Sequence, residues 1–123
     1  MRKRELLKMT VGLVAKWQTR LLLSDWEFAV AVVEKEDMVI GATGAEIGWD
    51  SETMRAEIRV LKDWEDGHLD RLEEVIVHEL LHCHRVAGAW DGFKKAERRR
   101  LCHLEDKFLD RLGRILVEVA RAR

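Results

Sequence analysis

The chain has 123 residues, 47% of them hydrophobic and 37% charged, with a net charge of −1. That is enough apolar material for one compact domain over the full length and too much for a disordered chain. No apolar run is long enough to cross a bilayer, and lysines break the opening MRKRELLKMTVGLVAKW before it forms a signal core, so a cytoplasmic protein with no membrane association is expected.

Residues 2–23 place Leu6, Thr10, Leu13, Val14, Trp17 and Leu21 at three- and four-residue steps, the pattern of an amphipathic helix that ends near Ser24-Asp25. WEFAVAVVE (26–34) is rich in β-branched and aromatic residues and reads as a strand. The charged EKED after it can turn into a second extended stretch from Met38 to Trp49, which suggests a hairpin. Gly41, Gly44 and Gly48 weaken that second strand and point to an edge position, a bulge or a close backbone approach. MRAEIRVLK (54–62) alternates Ala56, Ile58 and Val60 with Glu57 and Arg59, a strand with one buried and one wet face. Helices follow: one from Asp66 or Gly67 through Arg85, a break at AGAWDG, and a long one from Phe93 to the end with Asp91 as its N-cap.

Within the first of these helices lies HELLH, His78 to His82. Residues four apart on a helix differ by only about 40° around its axis, so two imidazoles at that spacing can reach one ion. Glu79 then stands beside the ion and can take a proton from its water. The competing reading is a core helix that contains hydrogen-bonded histidines. Leu69, Leu72, Ile76 and Leu80 form one apolar stripe, while Val75, His78 and His82 lie on nearly the opposite side, so the histidines face a different neighbour. An imidazole or carboxylate buried there is costly unless it is paired or metal-bound.

A third ligand is sought on the last helix. Its apolar stripe comprises Leu101, Leu104, Phe108, Leu112, Ile115 and Val119, with Leu109 and Leu116 at the margin, and this face is expected to be buried. Glu105 interrupts the stripe, about 40° from Leu101, whereas His103 and Asp106 fall on the polar side. The ranking is Glu105, then Glu97, then His103, and the alternative for Glu105 is a salt bridge to an arginine of another element.

HELLH followed by a helix with a lone glutamate resembles the gluzincin branch of zinc metallopeptidases. The order helix, hairpin, strand, HExxH helix and glutamate helix is similar to that of the small single-domain minigluzincins and of metallopeptidase-like domains of phages and mobile elements. The resemblance implies an α+β, zincin-like fold, His78, His82 and Glu105 as zinc ligands, Glu79 as general base, and an edge strand near GATGAEIGW that pairs with a peptide or protein substrate. This sequence departs from the extended metzincin signature at Arg85 and Gly88. Four residues after Glu105, where the family often has aspartate, it has Leu109. It contains no tyrosine, so His84, His103 or an arginine would have to stabilise an oxyanion.

Cys83 and Cys102 read as free thiols rather than a bridge. His84 points away from the motif face and His68 reads as surface. The five tryptophans read as core or half-buried anchors. MRKR and KKAERRR make both ends basic around an acidic middle, but without interleaved aromatics they read as solvated faces rather than a nucleic-acid surface. The function expected is hydrolysis of peptide bonds at a zinc site. The rivals are a zinc-stapled binding domain and, behind it, a nucleic-acid-contacting regulator.

Overall fold

A computed structural model describes residues 2–39, 44–64, 69–85 and 91–122, with the side chains of 69 and 70 left aside. The architecture is α+β, as expected: helix α1 (Lys3–Arg20), strands β1 (Glu27–Val33), β2 (Ala45–Asp50) and β3 (Arg55–Leu61), then helices α2 (Leu69–Leu81) and α3 (Lys95–Arg121). Single 3-10 turns occupy Lys35–Asp37 and His82–His84. The expected start of α2, most of AGAWDG, and His68, Gly41, Gly88 and Trp90 lie outside the described residues.

Helix α1 buries Leu6, Thr10, Val14 and Trp17, one face at the predicted spacing. Thr10 Oγ1 donates to the Leu6 carbonyl at 2.8 Å, which removes the cost of burying its hydroxyl. The helix stops three residues before the predicted end. Leu22 takes a left-handed conformation (φ 61°), and the Gln18 amide donates to the carbonyls of Leu23 and Trp26, so the chain reverses and Leu23 enters the core.

The three strands are ordered β1-β3-β2. β3 runs parallel to β1, with Glu27 opposite Arg55, and antiparallel to β2, with Ala45 opposite Val60. The expected β1–β2 hairpin is therefore corrected, since β3 lies between the two strands. EKED lacks the Gly or Asn that a tight hairpin needs and forms a 3-10 turn instead. The hairpin belongs to β2 and β3. There the Asp50 carboxylate accepts from the backbone N–H of Glu52 at 2.9 Å, and Met54 adopts a positive φ of 55°. β2 is an edge strand, one of the readings its glycines allowed, and a side chain at Gly44 would collide with the Trp64 ring.

Ile58 and Val60 of the central strand pack in one core with Leu72, Ile76 and Leu80 of α2, the stripe predicted for that helix. α3 differs from expectation. Its buried residues are Leu109, Gly113 and Val117, whereas Leu104, Phe108, Ile115 and Val119 are exposed. The physical reason is Gly113: a Cβ there would lie 3.3 Å from the Glu74 carbonyl oxygen and 3.4 Å from the His78 nitrogen. A side chain there would be a tight contact with the α2 backbone, so the glycine favours this side of α3 for the closest approach of the two helices. The N-cap of α3 is Lys94, with no side-chain cap, rather than Asp91. Among the described residues no helix is long and apolar enough to cross a membrane.

Candidate metal centre

α2 and α3 lie side by side, and the half-turns of both that carry the motif line a cleft of about 400 Å³ with Ala45 and Glu46 of β2. His78, Glu79, His82, His103, Asp106, Lys107 and Asp110 complete its wall. His78 sits on the last full turn of α2, and His82 opens the 3-10 turn that continues it. The two rings meet edge to face, with centroids 5.1 Å apart.

Asp106 faces both histidines. Its Oδ1 is 3.1 Å from His82 Nε2 and 3.4 Å from His78 Nε2. Ligand atoms of His78, His82 and Asp106 all lie within 4.8 Å of one another, so the group could hold a metal ion. Metal–ligand bonds of 2.0–2.1 Å in a tetrahedron put neighbouring ligand atoms about 3.3–3.4 Å apart, close to the histidine–aspartate separations here. Asp110, one turn further along α3, places Oδ1 3.8 Å from His78 Nδ1.

Glu105 is engaged next door. Arg85 grips its carboxylate through Nε at 3.1 and 3.0 Å and through a second guanidinium nitrogen at 2.7 Å. This is the salt bridge weighed for it from sequence. Its Oε1 also lies 3.2 Å from His82 Nδ1. Trp49 stacks on the His82 ring at 5.5 Å, and the Arg85 guanidinium lies over the same indole at 5.4 Å. His82 is thus held in orientation from two sides.

The proton balance at His82 tests whether a cation fits. Burial, helped by neighbouring His78, lowers the His82 pKa against the opposing pull of Asp106 and Glu105, so the neutral ring is favoured. A neutral imidazole carries one N–H, yet both ring nitrogens face carboxylates. Arg85 supplies positive charge on the Glu105 side. Among the described residues no lysine or arginine pairs with Asp106. With the proton on Nδ1, the Nε2 lone pair points at a carboxylate oxygen, an arrangement that a cation between them makes favourable. The donor set, two imidazoles and a carboxylate, suits a divalent ion of borderline softness.

Glu79 completes the group. Burial, with Asp106 and Glu46 adding like charge, pushes its carboxyl up to about 8. Glu46 itself is fully buried on β2 and paired with Arg59 at 2.8 Å across the sheet. The other candidates stand apart. Glu97 lies exposed in the first turn of α3, and His84 Nε2 is 2.6 Å from the Leu21 carbonyl, which anchors the 3-10 turn to the end of α1. Cys83 is a buried free thiol whose burial, with Glu79 nearby, pushes its pKa up to about 12, and Cys102 is also free.

Periodicity reasoning missed Asp106 because it rotated α3 onto the wrong face. The available signal was Gly113: with Leu109 and Val117 four residues to either side it marks a helix–helix contact, and Asp106 and Asp110 are seven and three residues before it. No family model, no curated protein and no solved structure matches the chain.

Proposed function

We propose that this chain is a zinc-dependent peptidase of the HExxH kind, with His78, His82 and Asp106 as the zinc ligands. The observation that carries the reading is the meeting of two histidine nitrogens and an aspartate oxygen at 3.1–3.4 Å, beside a glutamate with an elevated pKa in one open cleft. Zinc, when bound at such a site, acts as a Lewis acid on a peptide carbonyl and lowers the pKa of water.

The protein groups have separate tasks. Glu79, in the cleft beside the ligand group, is placed to take a proton from water and return it to a leaving amine, as a general base must. Glu105, held by Arg85, fixes the His82 ring through Nδ1, while Asp110, 3.8 Å from His78 Nδ1, is beyond hydrogen-bond reach and adds negative charge beside that ring. The outer edge of β2 has no strand partner among the described residues, and its first residues line the cleft, so an extended peptide can add there by backbone hydrogen bonds. His103 lines the cleft and is exposed, whereas His84 is tied to Leu21, which makes His103 the oxyanion donor.

Metal content of protein stripped with chelator and reloaded with zinc tests this directly. One zinc per chain is expected, lost in His82→Ala and Asp106→Ala and weakened roughly 10–100-fold in Glu105→Ala. Loss in Glu105→Ala with retention in Asp106→Ala would move the third ligand to Glu105. A chain that takes up no zinc would end the reading.

A second reading, a zinc-stapled binding domain, draws support from ligands that come from two helices packed on each other. Glu79→Gln separates the two. In an enzyme it keeps zinc and loses peptide hydrolysis, while in a staple the wild type hydrolyses nothing.

A further inference from the structure

The seam of α3 that sequence periodicity assigned to the core lies on the outside. Leu104, Phe108, Ile115 and Val119 are 53, 62, 55 and 48% exposed. They fall within a 60° arc along about 22 Å of a helix that packs chiefly against α2. A contiguous apolar seam is unlike the scattered apolar residues of an ordinary monomer surface.

We propose that this seam is the interface of a homodimer, in which α3 packs antiparallel on α3 of a second copy about a two-fold axis crossing between Arg111 and Leu112. The spacing of the four residues is 4, 7 and 4, which reads the same in both directions. Reversal about that axis therefore sets Leu104 against Val119 of the partner subunit and Phe108 against Ile115 of the partner subunit, with Arg111 and half-buried Leu112 on either margin at the centre. Charge agrees with the same orientation. Lys107 and Glu118 are exposed, form no ion pair with a described residue, and project from the same flank of the seam, within about 20° of each other. In an antiparallel pair like flanks meet, which brings Lys107 beside Glu118 of the partner subunit on both sides of the axis. In a parallel pair that flank would meet Leu112 and Leu116. The two Arg111 side chains approach near the axis, an exposed repulsion that salt screens.

Asp106 and Asp110 lie about 160° around α3 from Phe108, so the apolar seam faces away from the group of metal-type ligands, and Lys107 stands between the two, on the flank of the seam and at the rim of the cleft.

Sedimentation equilibrium of the full chain over a wide concentration range tests the dimer. The expected result is a reversible monomer–dimer equilibrium, weakened at least about tenfold by Phe108→Glu or Ile115→Glu with helix content by circular dichroism retained. Lys107→Glu should weaken it less, and adding Glu118→Lys to that variant should restore it, a pair of exposed changes that leaves the core untouched. A single-chain mass at all concentrations overturns the proposal, as does an open series of larger assemblies. A dimer that survives both apolar-to-glutamate changes overturns the seam, and failure of the charge swap to restore association overturns the antiparallel orientation.

Discussion

Glu73 and Glu79 lie six residues apart on α2, one buried between helices and the other half-buried in the cleft. Around Glu73, burial opposes ionisation, but Lys16 Nζ at 2.8 Å and Trp17 Nε1 at 2.7 Å donate to one oxygen while Arg121 lies 3.5 Å from the other. These contacts outweigh burial and hold the carboxyl below its usual range. Glu79 is different: burial acts with Asp106 and Glu46, and the carboxyl rises to about 8. One acid ties α1, α2 and α3 together, and the other is left with its charge unmet beside a group of metal-type ligands. The same residue type on the same helix is thus an ionised structural tie at one end and a proton-holding carboxyl at the other, according to whether donors reach it.

Replacing each by Gln makes the contrast measurable, and the largest effect should fall on turnover. Glu79→Gln is expected to lower peptide hydrolysis by about 10²–10⁴-fold with zinc retained, while Glu73→Gln leaves turnover per folded molecule unchanged. Equal losses in both would remove the distinction.

Stability in the presence of chelator should change in opposite directions. A carboxyl whose folded pKa is raised binds its proton more tightly in the native state, so its contribution is fully present below about 4.5 and is lost as pH climbs through about 8. Glu79→Gln removes that loss. It should stabilise the metal-free protein by about 2–3 kcal/mol at pH 9, with little change at pH 4, once the water that enters the cleft is allowed for. Urea titrations at the two pH values check this. Glu73→Gln should cost about 2 kcal/mol at neutral pH, since the Lys16 charge and the Trp17 N–H lose an ionised partner. Its pH slope is the reverse: the lowered pKa stabilises above the unfolded value near 4.5, and the benefit disappears as pH falls through the folded value. Acid unfolding of Glu73→Gln should accordingly be shallower than that of the wild type.

The smallest effect on stability is expected at Gly113, where the two helices touch. Alanine gains about 1 kcal/mol of helix propensity but meets the Glu74 carbonyl oxygen, a backbone atom that cannot turn aside, so the net change should stay within about 1 kcal/mol. Zinc affinity should nonetheless fall, because the contact that must widen includes the His78 nitrogen. A Gly113→Ala protein with wild-type zinc affinity would show that the site tolerates a wider spacing than its geometry suggests.

Strong local patterns carried through from sequence to fold. The alternation of Ala56, Ile58 and Val60 identified β3, and the stripe of Leu72, Ile76 and Leu80 correctly gave the core face of α2. Strand order was not legible, because a parallel neighbour is chosen by tertiary packing and leaves no turn signal between β1 and β3. The face of α3 was misread because its apolar residues cover more than half the circumference, and no periodicity chooses which part of so wide an arc is buried. His78, His82 and Glu79 follow from spacing on a single helix. Asp106 required the relative rotation of two helices, and that rotation is set by a glycine whose effect is visible only when both backbones are in place.

The end of α2 at Leu81, with the chain tightening into a 3-10 turn at His82, carries an electrical consequence. The last carbonyls of a helix lack intrahelical donors and present a partial negative charge of about half an electron. The last turn of α2 borders a cleft whose wall also carries Glu46, Asp106 and Asp110, with Lys107 at its rim. With Asp106 and Asp110 on the same wall, the resulting field gathers cations and resists anions, which is the electrical setting a divalent ion requires.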